Sequence, residues 1–68
     1  MFENVRLYQA YEGARNFHGA NHFEIGRSLG RQGYGRHDIG LLAQRLGVHS
    51  VRARQLRAGF AAEGGYHR

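Results

Sequence analysis

Apolar side chains recur along the chain at spacings that predict helices and no strand. Between residues 2 and 18 they fall at Phe2, Val5, Tyr8, Tyr11, Ala14 and Phe17, close to the helical repeat, with Glu3, Arg6, Gln9, Glu12 and Arg15 on the other face. This predicts an amphipathic helix over 2–18. Gly13 inside it costs about 1 kcal/mol relative to alanine, so the helix needs tertiary support. Gly19 predicts its stop. Asn21 and Glu24 then hold the positions of an N-cap and its N3 partner, a near match to the capping box with Asn in place of Ser or Thr. A second helix is expected over about 22–31, with Phe23, Ile25 and Leu29 as its apolar content. Gly26 and Gly30 lie four apart and share a face. That face either admits a second helix at close range or marks a weak helix.

Residues 31–37, Arg-Gln-Gly-Tyr-Gly-Arg-His, read as a loop. It is cationic, through Arg31 and Arg36, and it carries one ring, Tyr34. Such a loop either stacks on a base and follows a phosphate backbone or serves as an ordinary connection. Asp38 is the expected N-cap of a third helix, with Ile39, Leu42, Ala43 and Leu46 as its stripe and Gly47 at its end. Ser50 is the expected cap of a fourth, with Val51, Ala53, Leu56 and Phe60 facing inward and Gly64 and Gly65 stopping it near Glu63. There is no internal repeat and no boundary. The expectation is one all-α domain over residues 1–68, a small bundle of three to four short helices.

Composition narrows the function. A chain of 68 residues forms a single small domain that buries only about 60% of its unfolded surface. Without cysteine it has no disulfide and no thiolate ligand or nucleophile. Hydrophobic residues at 41% suffice for a core, and no apolar run approaches a membrane span of ~20 residues. The first residues, with an early acid and alternating polar and apolar positions, do not read as a signal peptide. A soluble, cytoplasmic module is therefore expected, with no membrane partner. All ten basic residues are arginine, and the net charge is +5. Residues 1–30 are neutral, with three arginines against three glutamates, whereas residues 31–68 hold seven arginines against Asp38 and Glu63. The first half reads as scaffold and the second as a face for an anion. The plainer alternative is a basic face that keeps the protein in solution.

Residues 42–56 read Leu-Ala-Gln-Arg-Leu-Gly-Val-His-Ser-Val-Arg-Ala-Arg-Gln-Leu. Ala43 is small where one helix crosses the next, and Leu46 closes the core of the first. Gly47 stands where a turn needs a positive φ. Val48 plugs the angle between the helices, Ser50 caps the second and Leu56 anchors it. With these positions, residues 38–60 resemble the helix-turn-helix of bacterial and phage DNA-binding regulators. One departure is Ala53, where the family usually has Val or Ile, which weakens the packing that fixes the interhelix angle. The resemblance implies that His49, Ser50, Val51, Arg54 and Gln55 face the major groove. Arg54 and Gln55 would read bases, since Arg pairs with guanine O6 and N7 and Gln with adenine N6 and N7. Arg45, Arg52 and Arg57 would lie on flanking phosphates and set affinity and register. Arg36 and Tyr34 of the preceding loop complete the candidate set. On this resemblance DNA is the expected partner rather than RNA, in a role of transcription regulation.

Other chemistry is sparse. His18 and His22 have the spacing of two ligands on one helical turn, but Gly19 and Asn21 break the helix between them and no third ligand is evident. Neither a metal nor a cofactor is expected. The acids Glu3, Glu12, Glu24, Asp38 and Glu63 form no pair suited to acid–base work. The only serines, Ser28 and Ser50, have structural roles, and the glycines form no phosphate loop. An enzyme is not expected.

Two function classes remain. The first is a DNA-binding regulator, acting as a homodimer through the aromatic stripe Phe2, Tyr8, Tyr11 and Phe17, unless that stripe is core. The second is a small protein-binding inhibitor of a larger machine, of the phage or mobile-element kind to which anti-CRISPR proteins belong. Its likeness is in size and lack of chemistry, and it would act by covering a surface with Tyr8, Tyr11, Tyr34, Tyr66 and its arginines.

Overall fold

Four helices follow one another, α1 (Phe2–His18), α2 (His22–Arg31), α3 (Arg36–Leu46) and α4 (Val51–Ala62). The computed structural model describes residues 2–64, with side chains from residue 5 onward. No strand occurs among the described residues. The protein is an all-α bundle, as the hydrophobic spacing predicts. Gly65, Tyr66 and the expected contribution of the Phe2 side chain lie outside the described residues.

Local chemistry ends each helix. Gly19 leaves α1 at φ +65°, and its N–H donates to the Arg15 carbonyl. Asn21 caps α2 by accepting from the Glu24 N–H at 3.3 Å. Glu24 does not reach back to complete the box; its carboxylate turns to Arg27 instead. Ser50 Oγ accepts from the Ala53 N–H at 3.1 Å and caps α4. At α3 the expectation needs correction. Gly35, in extended conformation, is the N-cap, and the helix starts at Arg36, two residues before Asp38. Asp38 is the third helical residue, and its carboxylate accepts from the Gly35 N–H at 3.1 Å. An acid placed there satisfies a free donor and meets the positive end of the helix.

The core is formed by Leu7, Tyr11 and Ala14 of α1, Ile25 and Leu29 of α2, Ile39 and Leu42 of α3, and Leu56 and Phe60 of α4. Each fully buried Leu, Ile or Phe contributes roughly 1.5–3 kcal/mol. The α1 stripe differs from the expected one. Leu7 is buried, whereas Val5 is half exposed and Phe17 is 85% exposed. The reason is geometric. A strict repeat of three falls about 60° short of a full turn at each step, so the set from Phe2 to Phe17 winds around the helix. Leu7, Tyr11 and Ala14, spaced four and three, hold one line.

α2 and α4 pack at backbone distance. A Cβ at Gly59 would fall on the Phe23 carbonyl oxygen, and a Cβ at Gly26 on the Leu56 carbonyl oxygen and within 2.9 Å of the Phe60 nitrogen. The Gly26–Gly30 face therefore serves close approach, with Gly30 against Phe60 and Glu63. Gly59, its counterpart on α4, carries the other half of the crossing.

Candidate functional site

α3, residues 47–50 and α4 form a helical hairpin. Gly47 turns the chain at φ +95°, a conformation that costs an L-residue about 1–2 kcal/mol. Ala43 and Ala53 are fully buried. Small side chains at both positions let the two helices sit close, and Leu56, equally buried, fastens α4 to the core. Two expectations fail here. Val48 does not plug the hairpin angle but is 46% exposed, and Val51 does not face inward but is 62% exposed. Val51 precedes Ala53 by two residues, about 200° around the helix, so burial of Ala53 turns it outward.

The outer side of the hairpin is cationic. Arg45, His49, Arg52, Arg54, Gln55 and Arg57 are exposed, and Ser50 is half-buried because it caps α4. Among the described residues, no carboxylate lies within 4.0 Å of Arg45, Arg52, Arg54 or Arg57. Arg45 is nevertheless positioned. Its guanidinium lies over the Tyr8 ring, 4.9 Å from the centroid, a contact worth about 0.5–1 kcal/mol at an exposed site. Arg36 is exposed on the first turn of α3. Tyr34 is half-buried and packs on the core, so its ring is less available for stacking than a free loop tyrosine.

The acids are engaged elsewhere. Glu63, at the end of α4, accepts from Arg27 Nε at 2.9 Å and from Arg31 Nη1 at 3.0 Å. Glu24 lies 3.4 Å from Arg27. The Arg27 hydrogen bond, joined by Arg31, holds the Glu63 carboxyl below its ordinary range against the opposing effect of desolvation. Two of the chain's arginines are thereby neutralised at the far end of α4 from Arg52 and Arg54.

His22 is 2% exposed and lies at the junction of α1 and α2. Its Nδ1 donates to the Ala20 carbonyl at 3.0 Å, and its Nε2 pairs with the Tyr11 hydroxyl at 2.7 Å. Burial, opposed by Arg15 and Arg52, raises the Tyr11 phenol above its ordinary value. His22 is thus a satisfied core histidine. His18 packs edge-on against Phe17, with centroids 4.8 Å apart. Among the described residues, no three of His, Asp and Glu converge as a metal site would require.

The fold also brings Arg15 and Asn16 of α1 beside Arg52, around a cleft of about 530 Å3. No spacing in the sequence links these positions; only the packing of α1 on the bundle does. Among the described residues, no helix is long and apolar enough to cross a membrane. The chain matches no known family model, no curated protein and no solved structure.

Proposed function

We propose that the protein is a non-enzymatic DNA-binding module that places α4 in the major groove of a duplex. The observation that carries this reading is the outer side of α4. Arg54 and Gln55 lie on it, with Arg57 on one flank and Arg52 on the other, toward the cleft with α1; all four are exposed, with no carboxylate within pairing distance among the described residues. Free guanidinium groups on a capped, anchored helix are suited to phosphates and to guanine edges. In this reading Arg54 and Gln55 contact bases, while Arg45, Arg52, Arg57 and Arg36 contact phosphates. His49 and Ser50 lie at the entry of α4, and Tyr34 packs on the core. Transcription regulation is the role such a module would serve. A homodimer would follow from the exposed part of α1, Val5 and Phe17, since Tyr11 is buried.

The test is fluorescence anisotropy of a labelled mixed-sequence duplex across several salt concentrations. Micromolar binding with a steep salt slope supports the reading, because each neutralised phosphate releases counterions. Absence of binding at ~50 mM salt, where phosphate contacts are strong, removes it.

A second reading rests on Phe17. A phenyl ring 85% exposed, beside a shallow groove lined by Ala10, Gly13 and Ala14, favours a protein partner covered by α1. The chain would then act as a small inhibitor that occludes a surface on a larger machine. Capture of one stoichiometric protein that survives nuclease treatment distinguishes this reading from DNA binding.

A further inference from the structure

The end of α1 and the start of α4 meet over a cleft with two arginines on its rim. Its lining is Arg15, Asn16, Gly19, Ala20, His22 and Arg52, with a volume of about 530 Å3. No carboxylate lines it. Among the described residues, neither arginine has an acid within 4.0 Å. Glu12, the nearby acid of α1, lines a different cleft with Tyr8 and Arg45.

The cleft is anchored. His22 forms part of its wall and is held at both ring nitrogens, by Ala20 and by Tyr11. Arg15 stands one turn beyond Tyr11 on α1, so the buried Tyr11–His22 bond fixes the backbone that carries it. Arg15, Arg52 and Glu12 all act electrostatically on the Tyr11 phenol, but of the three only the two arginines line this cleft. Like charges held together repel, and an anion between them relieves that repulsion. Guanidinium forks match the tetrahedral oxygens of phosphate, and the Asn16 amide adds a neutral donor.

We propose that Arg15, Asn16 and Arg52 form a binding site for a phosphate group, bridging α1 and α4. The phosphate is either a phosphodiester of a duplex held on α4 or the phosphate of a small ligand. The first source rests on the DNA-binding reading, through the shared Arg52. The site makes α1 part of the binding surface, a helix that the hairpin resemblance leaves as scaffold.

The test is a pair of NMR titrations of the intact chain, one with inorganic phosphate and one with a mixed-sequence duplex. They follow the arginine Nε–H signals and the backbone amides of residues 15–20 and 52. The expected result is saturable movement of these signals with phosphate, and a loss of affinity of about tenfold in Arg15→Gln and in Arg52→Gln. Arg6→Gln, an exposed arginine at the other end of α1, leaves affinity unchanged. Circular dichroism identifies any variant that fails to fold, and the variant on the other helix then stands in for it. If the duplex moves the same signals, and Arg15→Gln lowers the salt slope by about 0.9, the phosphate belongs to the DNA backbone. Movement with phosphate and none with duplex supports the site for a free phosphorylated ligand and removes the DNA reading. Silence of Arg15 and Arg52 in both titrations overturns the site. Duplex binding at Arg54 with Arg15 silent to both ligands overturns it too, and leaves the DNA reading standing.

Discussion

Gly26 and Gly59 form a reciprocal pair across the α2–α4 crossing, each lying where a side chain would strike a carbonyl oxygen of the other helix. Backbone cannot yield as a flexible side chain does. Gly59→Ala and Gly26→Ala are therefore each expected to cost about 3 kcal/mol or more, read as a fall in the urea midpoint. Gly13→Ala and Gly40→Ala provide the contrast, since an added methyl meets nothing within 4 Å at either site. There the gain in helix propensity should stabilise by roughly 0.5–1 kcal/mol. A loss at Gly13 comparable to that at Gly59 would contradict the packing described.

Tyr11→Phe removes the hydroxyl that pairs with His22 Nε2 and leaves that buried nitrogen without a partner. The expected cost is about 1–3 kcal/mol. Tyr11→Phe combined with His22→Phe should cost less than the sum of the two, which a double-mutant cycle measures. Additive losses would show that the bond contributes nothing beyond two separate side chains.

Much of this fold is legible in the sequence, for reasons that vary by element. α2 and α4 begin where Asn21 and Ser50 indicate, because a side-chain cap is a local interaction. Asp38 misleads, because the same carboxylate serves an N-cap or an N3 position, and only the conformation of Gly35 distinguishes them. The buried line of α1 is obscured by a repeat of three that looks helical over two turns and drifts over four. The outward arginines of α4 could be read from the burial of Ala53, Leu56 and Phe60 alone. The Arg15–Arg52 cleft could not, because it depends on where α1 ends relative to α4, which is a tertiary fact.

Glu63 gives the stability a defined acid dependence. Its carboxyl titrates below the ordinary value of 4.5 because Arg27 and Arg31 favour the charged form. A folded value lowered in this way stabilises the protein above the unfolded carboxyl range, and the contribution is lost as pH falls through the folded value. Glu63→Gln should therefore be less stable than the parent at pH 7, and the gap should narrow as pH falls below the unfolded carboxyl value of about 4.3 and close once it passes the lowered folded value. Thermal midpoints at several pH values measure this; a gap that persists in acid would assign the loss to packing rather than charge.

If α4 reads DNA, its arginines separate by role. Arg54→Ala should relax sequence preference, with about 1–3 kcal/mol lost at the preferred site alone. Arg45→Ala should weaken binding to all duplexes alike and lower the salt slope by about 0.9. Binding curves on a preferred and a scrambled duplex separate the two, and identical effects on every sequence would show the roles to be misassigned.

The pairing of Glu63 with Arg27 and Arg31 has an effect at a distance. α4 rises about 1.5 Å per residue, so its neutralised end lies roughly 16 Å from Arg52. That separation exceeds the screening length of about 8 Å at physiological salt. An anionic surface is therefore expected to draw the Arg52–Arg54 end of α4 more strongly than its Glu63 end. If α4 meets DNA, that difference would turn the protein before contact, so that the hairpin arrives first. Freeing Arg27 and Arg31 would raise the net charge yet blur that orientation, and more encounters would then begin on the wrong side.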